Sequence, residues 1–230
     1  MKKGVFIVLE GADKSGKSTQ ALRLARELRA GGTDVVHTRE PGGTSFAEAV
    51  RKVLLDTRHS VHPLAELLLY EASRVQHTEE VLRPALAQGA VVLCERYTLS
   101  TLAYQGCGRG LPLPMVQSLN RIATSGLQPD LTVVLDVPDS CLRSRDPKRK
   151  LDRLEREASD FHARVRAGYR SLAKRLPRTV LIDSDRPIDE VYADLHARVE
   201  RVLADHGPSA RRSRKPPVRG ASKSRKTRRH

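Results

Sequence analysis

The 230-residue sequence predicts an α/β fold: one doubly wound domain over residues 1–207, built on a five-stranded parallel sheet, and a disordered basic tail over residues 208–230. Three observations carry this prediction. Short apolar runs alternate with amphipathic stretches, the rhythm of successive βαβ units. The first run, residues 5–9, is apolar at every position, as a strand covered on both faces must be. The tail holds ten of the 42 basic residues and none of the 27 acidic ones, so the net charge of +15 falls to +5 over residues 1–207.

Residues 5–9 open the sheet. Leu22, Leu24, Ala25 and Leu28 then recur at helical spacing, and Gly31-Gly32 ends that helix. Val35-Val36 begins the second strand, which runs into a turn-rich loop over residues 38–44. Residues 65–87 read mostly as helix, interrupted near Pro84, because proline lacks the N–H an α-helical ladder needs. Residues 90–94, 131–135 and 180–182 supply the third, fourth and fifth strands, and residues 188–204 the last helix. No internal repeat is visible.

Composition narrows the class. Hydrophobic residues make up 39% of the chain, enough for a buried core. The longest apolar run is far shorter than a membrane-spanning helix, and no small-residue cleavage site follows the lysines at the start. Cys94, Cys107 and Cys141 form no CxxC and leave one thiol over, so a reducing, cytoplasmic location is expected rather than a disulfide framework. Prolines, serines and cations give the tail nothing to bury. It reads as a solvating appendage or a weak polyanion contact, and the lack of interleaved aromatic residues favours the first.

Gly11-Ala12-Asp13-Lys14-Ser15-Gly16-Lys17-Ser18 matches G-x-x-x-x-G-K-[ST], directly after a buried strand and at the start of a helix. Glycines let successive N–H groups converge on phosphates, and the helix N-terminus adds partial positive charge. Lys17 reaches the β- and γ-phosphate oxygens, and the Ser18 hydroxyl is a Mg²⁺ ligand. The sheet is therefore expected to be of the P-loop NTPase type. No Asn-Lys-x-Asp is present to read guanine, and the chain is too short for a motor, which leaves a small kinase.

Three further segments carry dense polar residues beside strand ends. They are residues 39–44, the helix face holding Tyr70 and Arg74 four residues apart, and residues 95–106. Glu95 at the end of a buried strand, followed by Arg96, suits Mg²⁺ or acceptor organisation beside the phosphate loop.

In their order and spacing, Glu10 to Gln20, residues 38–44, Arg74-Val75-Gln76, Arg96-Tyr97, Ser100-Thr101, residues 103–106, Leu135-Asp136-Val137 and Asp152-Arg153-Leu154-Glu155 resemble bacterial thymidylate kinases over nearly all of residues 4–206. The resemblance implies a nucleoside monophosphate kinase-like sheet ringed by helices, a homodimer, and transfer of the ATP γ-phosphoryl group to dTMP with Mg²⁺. It extends the ATP-binding run to Thr19. Asp13 would contact the acceptor near its 3′-hydroxyl, Arg96 and the loop holding Arg39 its phosphate. Tyr70 stands where the family stacks a phenylalanine on thymine, with Arg74, Ser100, Thr101 and Gln105 completing that pocket. Tyr104 would crowd the sugar 2′ position. A lid over about residues 143–153 would bring Arg145, Lys148, Arg149 and Arg153 over ATP. Electrostatic catalysis then falls to Lys17, Arg96, Arg145, Lys148 and Arg149, and metal organisation to Ser18 and Glu95.

Two positions depart from the family pattern. Glu95 stands where Asp is usual, one methylene longer. Lys14 stands where bacterial members carry a small residue and eukaryotic ones an arginine, so this chain has cations in both loop and lid. Two rival readings are a deoxynucleoside kinase, which lacks the 39–44 loop and the Tyr104-Gln105-Gly106 run, and a nucleic-acid-binding protein with a vestigial P-loop, which the intact Lys17-Ser18 pair opposes.

Overall fold

A computed structural model describes residues 4–138 and 151–206. The apolar runs become five parallel strands: β1 (Val5–Glu10), β2 (Val35–Arg39), β3 (Val91–Glu95), β4 (Leu131–Asp136) and β5 (Thr179–Asp183). Their order in the sheet is β2-β3-β1-β4-β5. The central strand β1 pairs with β3, Val5 opposite Val91, and with β4, Ile7 opposite Leu131. The chain thus fills one side of β1, with β2 outermost and β3 between, and then the other, which opens a crevice at the carboxyl ends beside β1.

Alternation along β1 shows why residues 5–9 are all apolar. Ile7 and Leu9 pack with Leu24 and Leu28 of α1 (Lys17–Ala30) and Leu195 and Val199 of a C-terminal helix (Ile188–Asp205). Phe6 and Val8 face the other way, against Leu82, Leu86 and Tyr97. A third cluster sits beyond the carboxyl edge, where Leu102, Ala103 and Val116 meet Phe161 and Val165. Glycine permits that contact: a Cβ on Gly168 would come within 2.8 Å of Cys107, and one on Gly108 within 2.7 Å of Phe161.

The strand ends differ from the sequence reading in a systematic way. β1, β3 and β4 each run one residue past the last apolar position, onto Glu10, Glu95 and Asp136. The ladder continues while the side chain turns from core to crevice. The helix interruption also falls earlier than Pro84. Between α3 (Pro63–His77) and α4 (Arg83–Ala87) lies a π-helical turn, Thr78–Leu82, closed by the Arg83 N–H donating to the Thr78 carbonyl. That shift places Pro84 in the first turn of α4, where its missing N–H costs nothing.

Helices not assigned from the sequence are α2 (Ser45–Leu55), the short α5 (Thr98–Thr101) running into a π-helical segment (Leu102–Gly108), α6 (Leu113–Ala123) and α7 (Ser159–Ala173), after which Ile188–Asp205 is α8. α2 had a readable start, since the Thr44 hydroxyl accepts from the Ala47 N–H and Ala47, Val50 and Leu54 form its buried stripe. Lid cations Arg145, Lys148 and Arg149, Cys141 and the tail lie outside the described residues.

Candidate active site

The phosphate loop turns tightly between β1 and α1. Gly11 takes φ 132°, and a Cβ there would lie 2.3 Å from the Leu135 carbonyl oxygen. Gly16, at φ 96°, precedes α1, whose first turn receives no capping side chain. Its N–H groups therefore face a cleft of about 490 Å³ lined by residues 13–20, within the range of small-molecule sites.

Lys17 is 7% exposed, and its Nζ donates to the carbonyls of Gly11 at 3.0 Å and Ala12 at 2.6 Å. Burial and the nearby Arg96 push its ammonium down to about 7, against the pull of Asp13, Glu10 and Glu95. An arriving polyphosphate supplies the missing anionic partner.

Ser18 donates a short hydrogen bond to Glu95 Oε2, and His37 Nε2 lies 2.9 Å from Oε1. With its proton committed to the carboxylate, the serine hydroxyl keeps its lone pairs for a cation. Hard oxygen donors of this kind suit Mg²⁺. Among the described residues no cluster of three or more His, Cys, Asp or Glu could hold a metal ion. Mg²⁺ needs none when substrate phosphates and waters complete its shell.

Arg96 occupies φ 69°, where a side chain is strained, with its N–H bonded to the Leu9 carbonyl at 2.9 Å. The turn sends its guanidinium back over the loop. Nη1 donates to Gly11 O, Ser100 Oγ and Tyr169 Oη, and Nη2 to Asp13 Oδ1 at 2.6 Å and Tyr104 Oη at 3.2 Å. Burial alone would raise the Asp13 carboxyl, but the Arg96 and Lys17 charges hold it well below the usual carboxylate range. Behind this pair Glu10, fully buried, accepts from Tyr97 N, Ser100 N, Ser100 Oγ and Tyr169 Oη. Burial still pushes its carboxyl up.

A second cavity adjoins the first and shares Asp13, Glu40, Arg51 and Arg96 with it. Tyr70, Arg74, Ser100, Thr101, Tyr104 and Gln105 all line it, as the sequence reading requires. Arg74 is 2% exposed and almost saturated: Nε donates to Glu40, Nη1 to Glu71, Thr101 and Asn120, and Nη2 to the Tyr97 carbonyl. Only the second Nη2 proton is left for a ligand. Glu40 is held below its ordinary range: burial raises it, but Arg74 and His77 outweigh that. His77 Nδ1 lies 3.0 Å from Glu40 Oε1, and its Nε2 lies 2.7 Å from the Thr38 hydroxyl. Gln105 donates its amide to the buried Glu66 at 2.8 Å.

The structure adds residues that the sequence reading did not single out. Arg51 of α2 donates to the Pro41 carbonyl and, with Arg96, lines both cavities, while Arg39 lines the first. Ser184, Arg186, Ile188 and Val191 extend the phosphate cleft beyond β5. Tyr169 holds Arg96 from α7, and its buried 161, 165, 169, 172 stripe was the available signal.

Arg153 stands apart from the loop. Its Nε donates to the Leu54 carbonyl at 2.8 Å, and its guanidinium pairs at 2.7 Å with Glu66, which Arg109 also grips. That side chain lies beside the second cavity and does not line the phosphate cleft.

A family model described as thymidylate kinase matches residues 9–195. The thymidylate kinase of Deinococcus radiodurans is 49% identical over 201 residues, spanning 86% of this chain and 98% of that relative. That of Leifsonia xyli subsp. xyli is 47% identical, spanning 86% and 95%. The crystal structure of the thymidylate kinase from Ehrlichia chaffeensis superposes with a TM-score of 0.71 at 34% identity, covering 86% of this chain and 99% of that one. With matching this extensive in both sequence and fold, the chain belongs to the thymidylate kinase family.

Proposed function

We infer that this chain phosphorylates dTMP to dTDP with the γ-phosphoryl group of ATP, a step in dTTP synthesis. One observation carries the reading: a phosphate-binding cleft adjoins a second, side-chain-lined cavity, with Arg51 and Arg96 lining both and Arg39 on the cleft side. Two polyanions must meet there, and these guanidinium groups offset their repulsion.

An oxygen of the dTMP phosphate attacks the γ-phosphorus, the bond to the β,γ-bridging oxygen breaks, and ADP departs. The acceptor phosphate is already a competent nucleophile near neutral pH, so no strong general base is needed. Lys17 and the loop N–H groups hold the donor chain, while Arg96, Arg51 and Arg39 hold the acceptor phosphate in line. Asp13, fixed by Arg96 and Tyr104, faces the sugar. Tyr70, on the wall of the second cavity, would stack on the base. Ser18 and Glu95 would hold Mg²⁺, which neutralises charge on the transferring phosphates. Lid cations Arg145, Lys148 and Arg149 would complete the charge around the donor.

A homodimer is supported by apolar side chains exposed on neighbouring helices, Phe46 of α2, Leu68 of α3 and Ile122 of α6, a face that a second copy would cover. No helix among the described residues is long and apolar enough to cross a membrane. A reducing, cytoplasmic setting is supported by the free thiols of Cys94 and Cys107. The tail adds weak polyanion contact at most, and its removal should leave turnover unchanged. Coupled ADP formation over a panel of nucleoside monophosphates tests the central reading. We expect dTMP to dominate, and thymidine supplied alone to be inert; turnover of thymidine would instead assign a nucleoside kinase.

A further inference from the structure

We propose that His37 is a positioning residue for the metal-organising carboxylate, holding Glu95 so that its second oxygen meets Ser18. The proposal rests on the Mg²⁺ reading given above and concerns how this chain accommodates a glutamate at that place. His37 sits on β2, two residues before Arg39, and Arg39 is the register partner of Glu95 on β3. Both side chains therefore project from the same face of adjacent strands. His37 Nε2 approaches Glu95 Oε1 to 2.9 Å, and the two side chains are 17% and 13% exposed. The opposite oxygen, Oε2, takes the Ser18 proton. Each carboxylate oxygen is thus assigned a different partner.

Without His37, three rotatable bonds let the Glu95 carboxylate swing along the β2–β3 edge, and only Ser18 and the Lys17 charge would draw it towards the cleft. The imidazole N–H removes that freedom. It fixes which oxygen faces the phosphate loop and turns the longer side chain into a rigid one. An aspartate is one methylene shorter, so we expect it to lose one of the two contacts that Glu95 makes. His37 lines neither the phosphate cleft nor the acceptor cavity. Its effect passes through Glu95 alone.

Manganese binding to the ADP-bound enzyme, followed by electron paramagnetic resonance of free Mn²⁺, tests this without turnover. His37→Phe should weaken Mn²⁺ affinity about three- to ten-fold, the net worth of one ordinary intramolecular hydrogen bond, and raise the Mg²⁺ needed for half-maximal transfer by the same factor. The dTMP KM should stay unchanged. His37→Gln, whose amide N–H can reach Oε1, should recover most of the affinity. In a Glu95→Asp background His37→Phe should have no further effect. Unchanged Mn²⁺ affinity in a folded His37→Phe protein, while Glu95→Ala loses affinity, would overturn the role of His37 and leave the Mg²⁺ reading standing. Unchanged affinity in Glu95→Ala would overturn both. Equal losses from His37→Phe in the wild-type and Glu95→Asp backgrounds would place its effect elsewhere and also overturn the proposal.

Discussion

The donor cleft and the acceptor cavity share a wall but are made of different material. The cleft is mostly main chain: glycine-enabled turns, the open N–H groups of α1, and one lysine anchored on two carbonyls. The cavity is mostly side chain, braced from behind by buried charge. Arg74 joins Glu40, Glu71, Thr101, Asn120 and the Tyr97 carbonyl, while Glu66 ties Gln105, Arg109 and Arg153. A backbone cradle recognises phosphate whatever is attached to it. A braced set of side chains can reject a wrong base or sugar, at the risk that losing one brace strands several buried charges. Generality and selectivity are therefore assigned to separate halves.

Substitutions can break that division. The largest effect is expected for Lys17→Ala: turnover should fall about 10³-fold or more, with dTMP affinity retained. Because Lys17 sits at about 7 in the folded protein against an ordinary 10.5, the unfolded chain binds more protons between those values. This group's contribution to stability therefore rises with pH across that window and is unfavourable below it. Thermal melting of Lys17→Met at pH 7 should accordingly show an unchanged or higher midpoint, and a clear drop would mean the ammonium is paired rather than stranded.

On the acceptor side the expected loss is structural. Arg74→Met leaves Glu40 and Glu71 buried beside an apolar chain, and urea unfolding should report about 3–4 kcal/mol of destabilisation. A stable, active Arg74→Met enzyme would contradict the braced-cavity picture.

A smaller, sharper effect concerns the sugar. Tyr104 packs at the cavity wall with its hydroxyl on Asp13 at 3.0 Å and Arg96 at 3.2 Å. Tyr104→Ala should narrow the kcat/KM ratio between dTMP and its ribose counterpart by on the order of ten-fold, whereas Tyr104→Phe, which keeps the ring, should leave it nearly intact. If both variants lose selectivity equally, the hydroxyl network and not steric exclusion sets it.

The subtlest expectation is a proton. At pH 8 Lys17 is mostly neutral in the empty enzyme, and bound triphosphate favours the ammonium, so ATP binding should take up nearly one proton. Calorimetry in buffers of different ionisation enthalpy would read it, and the uptake should vanish towards pH 6 and in Lys17→Met.

The same contrast explains what the sequence made legible. The phosphate loop is eight consecutive residues after an apolar strand, so its chemistry could be read directly. The acceptor face was partly visible because Tyr70 and Arg74 lie one helical turn apart. Its bracing was not: Glu40, Glu66, Asn120 and Tyr169 come from distant segments, and an isolated polar residue looks the same whether it is buried or solvated. Arg153 shows the same limit from the other side. It belongs to a basic run that resembled a lid face, yet its partner Glu66 lies 87 positions earlier, on α3, beyond the reach of any local pattern.

The direct test of transfer between the two halves is a single-turnover reaction with γ-labelled ATP, enzyme in excess, and dTMP, with products separated by time. The label should appear in the β-phosphate of dTDP at the rate ADP forms, with none in inorganic phosphate and none in dTMP when thymidine replaces the acceptor. Label passing first to the protein or to water, or arriving on thymidine, would contradict one site in which two bound phosphates meet.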